Sequence, residues 1–165
     1  IGEKYGFETQ AARKQVPDVT LDIYGKGAEE EKLREKIASL KCGDYVHLCG
    51  QQKLDEIYKN YEAYLAGSTS EGFGLTLMEA VGSGLPIIGF NVRYGNQTFI
   101  DDGENGYKIA VNAKTGDKER IEKLTECIVR LFTEADLEAF HQHSYEKAQG
   151  YLTGKVERKW KRTLK

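Results

Sequence analysis

Runs of β-forming residues alternate with amphipathic helical stretches along most of the chain, and this alternation restricts the fold more than any other feature. Strands are predicted over residues 19–24, 45–49, 63–66, 86–91 and 106–111, and helices over 7–16, 28–40, 53–61, 73–83 and from about 117 to the end. Strands that alternate with helices of this length are typical of βαβ units around a parallel sheet. We therefore predict an α/β fold, with a Rossmann-like parallel sheet and flanking helices, in one domain that covers residues 1–165.

Charge, apolar content and cysteine usage exclude several classes of protein. The formal net charge of −2 gives no overall field that favours nucleic acid, so no nucleic-acid partner is expected. The longest apolar run, Leu85 to Phe90, is far shorter than the ~20 residues of a membrane-spanning helix. The first residues show no secretory signal, and the 3 cysteines form no CxxC pair, which indicates reduced thiols and a cytoplasmic protein.

Residues 153–165 form a basic amphipathic stretch. Lysine and arginine dominate it, while Val156, Trp160 and Leu164 recur at every fourth position and form an apolar stripe. Such a helix can make a peripheral contact with an anionic membrane or with a partner protein. The alternative is a helix that packs its tryptophan on the domain and leaves its lysines in water, which is the more common arrangement.

The segment from Ser70 to Ala80 places a glycine-rich turn between a predicted strand and a predicted helix. Gly72 and Gly74 remove side chains where the backbone can approach a ligand closely. The free N–H groups of the first helical turn, together with the helix dipole, form a site for an anion. Glu71 lies in the turn and Glu79 in the helix, so the two carboxylates can bracket a phosphorylated sugar. The alternative is a tight turn followed by a solvated Glu79.

The same segment resembles the Glu-x7-Glu signature of retaining glycosyltransferases of family 4, which have the GT-B fold. The resemblance continues through residues 80–88 and 101–107, and residues 1–4 resemble the end of that family's Arg-Leu-x-x-Glu-Lys segment. It implies that residues 1–165 are the C-terminal, donor-binding domain of a two-domain enzyme, inactive on its own. The preceding arginine, the first strand and the N-terminal acceptor domain would lie outside the chain.

The resemblance also implies roles for individual residues. Glu71 would contact the sugar hydroxyls beside the reacting carbon, and Lys4 would neutralise the departing diphosphate, so these two are the expected catalytic residues. Glu79 would accept hydrogen bonds from the ribose hydroxyls. The turn formed by Gly50 and Gln51 would pass near the base. The backbone N–H groups expected to hold the sugar and diphosphate are those of Gly72, Phe73, Gly74 and Leu75.

Neither a metal site nor a nicotinamide site is expected. Asp101 and Asp102 are adjacent, so the chain lacks the Asp-x-Asp pattern that chelates a metal-bound diphosphate. His141 and His143 lie two residues apart on a predicted helix and do not share a face. The turn Gly25-Lys-Gly27 begins like a dinucleotide fingerprint, but the third glycine is missing. The resemblance implies a UDP-sugar donor and no further cofactor.

Two further segments, residues 90–100 and 144–161, narrow the resemblance. They resemble the catalytic subunits that glycosylate serine-rich-repeat adhesins in the accessory Sec system of bacteria, and less closely the poly(glycerol-phosphate) α-glucosyltransferases of teichoic acid assembly. The first implies transfer of N-acetylglucosamine from UDP-GlcNAc to Ser/Thr hydroxyls, with a non-catalytic sister subunit, and the second implies UDP-glucose. A non-catalytic sugar-binding subunit is a further alternative, although such a subunit should lack one of the paired glutamates. An epimerase of similar fold is another.

The position of the first strand in the GT-B fold has a consequence for stability. That strand is central, so its position outside the chain would leave an open sheet edge. Open edges invite pairing with another strand. We therefore predict that the isolated chain dimerises or is marginally stable.

Overall fold

The secondary structure follows the predicted alternation of strands and helices. The computed structural model describes residues 5–68, 70 and 72–151. In chain order the elements are α1 (Tyr5–Ala12), β1 (Leu21–Tyr24), α2 (Glu30–Leu40), β2 (Val46–Gly50), a 3₁₀ helix (Tyr58–Asn60), β3 (Tyr64–Ala66), α3 (Leu75–Gly82), β4 (Ile87–Phe90), α4 (Gly95–Phe99), β5 (Gly106–Ile109), α5 (Asp117–Thr133) and α6 (Leu137–Gln149). No helix within these described residues has both the length and the apolar character needed to cross a membrane.

The strands form two parallel sheets. β1 pairs with β2, with Leu21 opposite Val46. In the second sheet β4 lies between β3 and β5, and Tyr64 and Gly106 both pair with Ile87. Parallel strands bring their carboxyl ends to one edge of a sheet, where α/β proteins bind ligands. The predicted α/β class with parallel strands and flanking helices is confirmed, although the sheet is divided in two.

The second sheet is buried between helices because its central strand is apolar on both faces. Every residue of β4 is buried, as expected for a strand inside a parallel sheet. Ile88 packs in one core cluster with the buried residues of α5. Ile87 points to the opposite face of the sheet and packs in a second cluster with Leu77 of α3. The buried α5 residues follow one side of the helix and are Leu124, Ile128 and Leu131.

A gap separates β1 from β3. It encloses about 560 Å³ and is lined along its length by both strands. Leu21 N–H donates to Tyr45 O, and Tyr64 N–H donates to Pro86 O, so the alternate peptide groups of β1 and β3 face the gap. Its other walls are mostly apolar and include Leu77 of α3, Ile128 and Phe132 of α5, Ile88 of β4, and Leu54 and Leu85 of connecting segments. Two strand edges without a partner among the described residues therefore face each other, as expected of a parallel sheet that lacks a central strand.

A polar cluster lies on the β1 side of this gap. The Tyr61 hydroxyl donates to Asp22 Oδ2 at 2.5 Å, and His47 Nδ1 donates to Asp22 Oδ1 at 2.7 Å. The Tyr24 hydroxyl lies 2.6 Å from that of Tyr61. Burial acts to raise the pKa of Asp22, but the hydrogen bonds from Tyr61 and His47 prevail and lower it. The carboxylate therefore stays charged and is paired on both oxygens, which accounts for its position beside an apolar gap.

The helix predicted over residues 53–61 is wrong. The chain forms a turn there, followed by the 3₁₀ helix Tyr58–Asn60. The N–H groups of Ile57 and Tyr58 both donate to Leu54 O, so a single turn brings these side chains to the same side. The spacing of these three residues therefore does not require a longer helix.

The other predicted helices differ from the structure mainly at their ends. α1 begins and ends earlier than the predicted helix over residues 7–16. The helical region after residue 117 divides into α5 and α6, because Asp136 caps α6 by accepting a hydrogen bond from Ala139 N–H. α4 is an additional helix that the sequence pattern does not predict. The predicted basic helix over residues 153–165 lies outside the described residues.

Candidate functional site

A turn that contains glycines joins β3 to α3 at the carboxyl edge of the second sheet. α3 begins at Leu75, slightly later than predicted, with Gly74 as its N-cap residue. Gly74 has a φ of +78°, and a Cβ there would lie 2.7 Å from Leu77 Cδ1. Residues with a side chain rarely adopt this φ, so the fold itself requires glycine at position 74.

Gly72 differs from Gly74 because no contact among the described residues requires it to be glycine. A Cβ at Gly72 would have no atom within 4 Å, and the residue is exposed. Its carbonyl accepts a hydrogen bond of 3.0 Å from Gly95 N–H, which ties this turn to the start of α4. The open space beside Gly72 is a place where a bound molecule can approach the backbone closely.

The N-terminus of α3 is open to an anionic ligand. Its first backbone hydrogen bond runs from Met78 N–H to Gly74 O, and no described side chain caps it. The preceding N–H groups therefore point out of the helix end, where the helix dipole also favours negative charge. Phe73 and Leu75 flank this end and are 55% and 63% exposed, and the Phe73 ring packs edge-on against Phe99. The predicted diphosphate position is thus an uncapped helix end beside two exposed apolar side chains.

Glu79 lies in the second turn of α3 and is exposed. The hydroxyl of Tyr58 donates to Glu79 Oε2 at 3.3 Å and also lies 3.4 Å from Thr76 O. Burial, together with the neighbouring Tyr64 and Glu79, raises the pKa of Tyr58 well above its ordinary value. Tyr58 therefore keeps its proton and is the donor to the Glu79 carboxylate.

The remaining predicted site residues lie elsewhere in the chain. Gly50 ends β2 and Gln51 follows it, at the carboxyl edge of the first sheet. Gly50 O accepts a hydrogen bond of 2.8 Å from Gly25 N–H, so the turn after β1 and the turn after β2 are in contact with each other. Lys4 and Glu71, the predicted catalytic residues, lie outside the described residues.

The acidic and histidine residues considered as metal ligands have structural partners. Asp101 pairs with Lys147 at 2.6 Å, and Asp102 Oδ1 accepts a backbone N–H from β5 at 2.7 Å. His141 and His143 each donate from Nδ1 to a different backbone carbonyl. Within the described ranges, no three His, Cys, Asp or Glu side chains are grouped in a way that could hold a metal ion.

Tyr58 is a residue of this region that the sequence does not single out. Its spacing from Leu54 matches an apolar helix face, which predicts a core residue, and it is indeed only 4% exposed. Its contact with Glu79 spans 21 residues of sequence. Neither periodicity nor propensity connects residues at that separation, so the sequence offers no signal for this contact.

The chain matches the model of a known family and is similar to a curated protein of known name. The family model described as glycosyl transferases group 1 matches residues 9–131. The UDP-N-acetylglucosamine–peptide N-acetylglucosaminyltransferase GtfA subunit of Streptococcus gordonii is 54% identical over 157 residues, which are 95% of this chain and 31% of that protein.

Two solved structures match the fold with a TM-score of 0.90 each. The pneumococcal O-GlcNAc transferase GtfA, in complex with UDP and GlcNAc, is 49% identical, and the match covers 96% of this chain and 31% of that one. A GtfA/B complex is 50% identical, and the match covers 99% of this chain and 34% of that one. This chain therefore spans about a third of the length of each of these three proteins.

Proposed function

Because the chain belongs to the glycosyl transferases group 1 family, we propose that it is the donor-binding part of a longer enzyme that transfers N-acetylglucosamine from UDP-GlcNAc to a peptide. The observation that carries this proposal is the turn at Gly72 and Gly74, which opens onto the uncapped start of α3 and is followed by the exposed Glu79. The donor and the peptide acceptor are those in the name of the Streptococcus gordonii relative. Ser/Thr hydroxyls of a serine-rich protein are the acceptor groups that the sequence resemblance implies.

The donor is proposed to lie along the carboxyl edges of the strands. Its diphosphate would accept hydrogen bonds from the N–H groups of the turn between Gly72 and Leu75, at the positive end of the α3 dipole. Glu79 would accept hydrogen bonds from the ribose hydroxyls. Gly50 and Gln51 would lie beside the base.

Transfer is proposed to retain the configuration of the anomeric carbon and to need no metal ion. The acceptor hydroxyl would attack that carbon as its bond to the diphosphate oxygen breaks, and the leaving phosphate would take the hydroxyl proton. Negative charge then grows on the diphosphate, where the start of α3 and the ammonium group of Lys4 would stabilise it. Glu71 would hold the sugar hydroxyls beside the reacting carbon.

The acceptor site is proposed to come from the rest of the enzyme. The chain spans about a third of its GtfA relatives, so an N-terminal domain of the same protein would face the donor edge and bind the acceptor. The solved GtfA/B complex supports a second subunit as a partner. Residues 1–165 alone would bind the donor without catalysing transfer.

Calorimetric titration of the chain with UDP, UDP-GlcNAc, UDP-glucose, ADP and GDP tests the donor assignment. We expect only the uridine nucleotides to bind. Glu79→Ala is expected to weaken UDP binding by about tenfold or more, because a hydrogen bond to a charged group contributes about 1.5–3 kcal/mol. The ratio of the affinities for UDP-GlcNAc and UDP-glucose measures how far the residues of this chain alone discriminate between the two sugars.

Glu126→Ala is the matched control, because Glu126 is also an exposed glutamate on a helix but lies on α5. It should leave UDP binding unchanged. Equal affinities of Glu79→Ala and the wild type would overturn the role of Glu79. Preference for ADP or GDP would overturn the uridine assignment, and a folded chain that binds no nucleotide would contradict donor binding by this part alone.

Replacing Gly72 with alanine is expected to weaken UDP binding while the free energy of unfolding changes by no more than about 0.5 kcal/mol. The new Cβ has open space within the fold but would meet a diphosphate that lies against the backbone. Gly74→Ala is the contrast, since its positive φ and close contact with Leu77 should cost about 1–3 kcal/mol of stability. Urea denaturation and UDP titration of both variants check this, and unchanged UDP affinity in Gly72→Ala would mean that the ligand does not approach position 72.

A further inference from the structure

Tyr58 lies outside the turn and helix that form the proposed donor site, yet its hydroxyl reaches Glu79. We propose that Tyr58 is a positioning residue that holds the Glu79 carboxylate in the orientation that accepts a hydrogen bond from the donor ribose. This inference rests on the proposed function, since it takes Glu79 as the residue that binds the ribose.

The Glu79 carboxylate receives a hydrogen bond on only one of its two oxygens from the described residues, and the donor is Tyr58. The Tyr58 hydroxyl donates to Glu79 Oε2 at 3.3 Å and shares its one proton with Thr76 O, which lies 3.4 Å away. Among the described residues it is the only hydrogen-bond donor that reaches this carboxylate. The second oxygen, Oε1, is therefore left to accept a hydrogen bond from a ligand. An exposed glutamate otherwise samples many rotamers, and a ligand must restrict them when it binds.

Burial of Tyr58 holds its ring, and therefore its hydroxyl, in place. Tyr58 packs in a small core cluster with Ala80 and Leu85, and its ring lies 6.2 Å from that of Tyr64. Ala80 follows Glu79 directly in α3. The cluster therefore anchors the tyrosine to the same helix that carries the glutamate, and the ring cannot move away without exposing buried apolar surface.

The hydroxyl also stays a donor throughout the usual pH range. Burial raises the pKa of Tyr58, and the adjacent Tyr64 ring and Glu79 carboxylate raise it further. A neutral phenol beside a carboxylate can only donate to it, so the direction of the hydrogen bond is fixed. Preorganisation of this kind increases ligand affinity by lowering the entropy lost on binding.

Tyr58→Phe tests the inference because it removes the hydroxyl and keeps the ring. Binding of UDP and of 2′,3′-dideoxyuridine diphosphate, which lacks both ribose hydroxyls, is measured by calorimetry on the 165-residue chain. We expect UDP affinity to fall about 3- to 10-fold, as for loss of one hydrogen bond, and the affinity for the dideoxy nucleotide to stay the same. The ratio of the two affinities is the readout, because a change in the folded fraction affects both nucleotides equally.

Tyr64→Phe is the matched control. Tyr64 is a neighbouring tyrosine whose hydroxyl donates to Thr76 Oγ1 at 3.2 Å rather than to Glu79, so its loss should leave the ratio unchanged. In a second test Tyr58→Phe is added to Glu79→Ala. A residue that acts through Glu79 should cause no further loss of UDP affinity in that background.

The outcomes separate this inference from the function on which it rests. The inference is overturned if the wild-type chain binds UDP and Tyr58→Phe lowers the affinity for both nucleotides by the same factor. It is also overturned if Tyr58→Phe changes neither affinity. Tyr58 is then a structural residue. An additive loss in the double variant overturns it as well. If the wild-type chain binds UDP and the dideoxy nucleotide equally, Glu79 does not bind the ribose, and the proposed function loses that assignment too. A folded chain that binds neither nucleotide overturns donor binding by this part, and the inference with it.

Discussion

Replacing Gly106 with alanine is expected to lower the free energy of unfolding by about 3 kcal/mol or more. This is a larger loss than that expected for Gly72→Ala, Gly74→Ala or Gly82→Ala. Gly106 begins β5 and pairs with Ile87 of β4. A Cβ at Gly106 would overlap Ile87 O and lie only 2.8 Å from Ile87 C. Because the obstructing atoms are backbone atoms in a fully buried strand, they cannot move aside as a flexible side chain would, and the two strands must separate.

Gly82→Ala is the control for that substitution. Gly82 is the last residue of α3, is exposed, and has open space where a Cβ would lie. Alanine there should be neutral or stabilise the chain by up to about 1 kcal/mol. Urea denaturation of the two variants measures the contrast. A loss below about 1 kcal/mol for Gly106→Ala would show that β4 and β5 are packed less closely than the structure has them.

The parts of the fold that sequence could predict are those set by local patterns. The β3–α3 turn was predictable because glycine at position 74 and the apolar residues after it act within a few residues of each other. The helix predicted over residues 53–61 failed for the opposite reason. Ile57 and Tyr58 follow Leu54 by three and four residues, and one turn places these side chains on the same side as well as a helix would. The packing of Tyr58 against Ala80 of α3 favours the turn. α4 is too short for a periodicity to develop.

The candidate site divides in the same way. Gly72 could be selected from sequence because a glycine turn before a helix can bind an anion. Glu79 could be selected because it is the second carboxylate of the Glu-x7-Glu pattern that the segment resembles. Tyr58 could not, because its partner is 21 residues away and its burial resembles that of any core aromatic residue. The roles of Lys4 and Glu71 remain predictions, since both lie outside the described residues.

The isolated 165-residue chain is expected to dimerise or to be marginally stable, because β1 and β3 face each other across a gap of about 560 Å³ instead of pairing. The peptide groups at Asp22 and Leu65 alternate with groups that bond to the neighbouring strands, so they point into this gap. The side chains around them are mostly apolar. Water can form hydrogen bonds with these peptide groups but leaves the apolar walls of the gap exposed to solvent. A strand from a second molecule can form the same hydrogen bonds and also bury the apolar walls.

Light scattering and thermal unfolding at a series of protein concentrations distinguish the two expected outcomes. If the gap is filled by a second copy, the mass should approach twice that of the chain and the Tm should rise with concentration, because association stabilises only the folded state. If the gap stays open, the chain should be monomeric with a Tm below about 60 °C, within or below the usual range for small domains. A monomer with a concentration-independent Tm above about 60 °C would contradict the prediction. The two strand edges would then be stable without a partner, and the division of the sheet would cost the fold little.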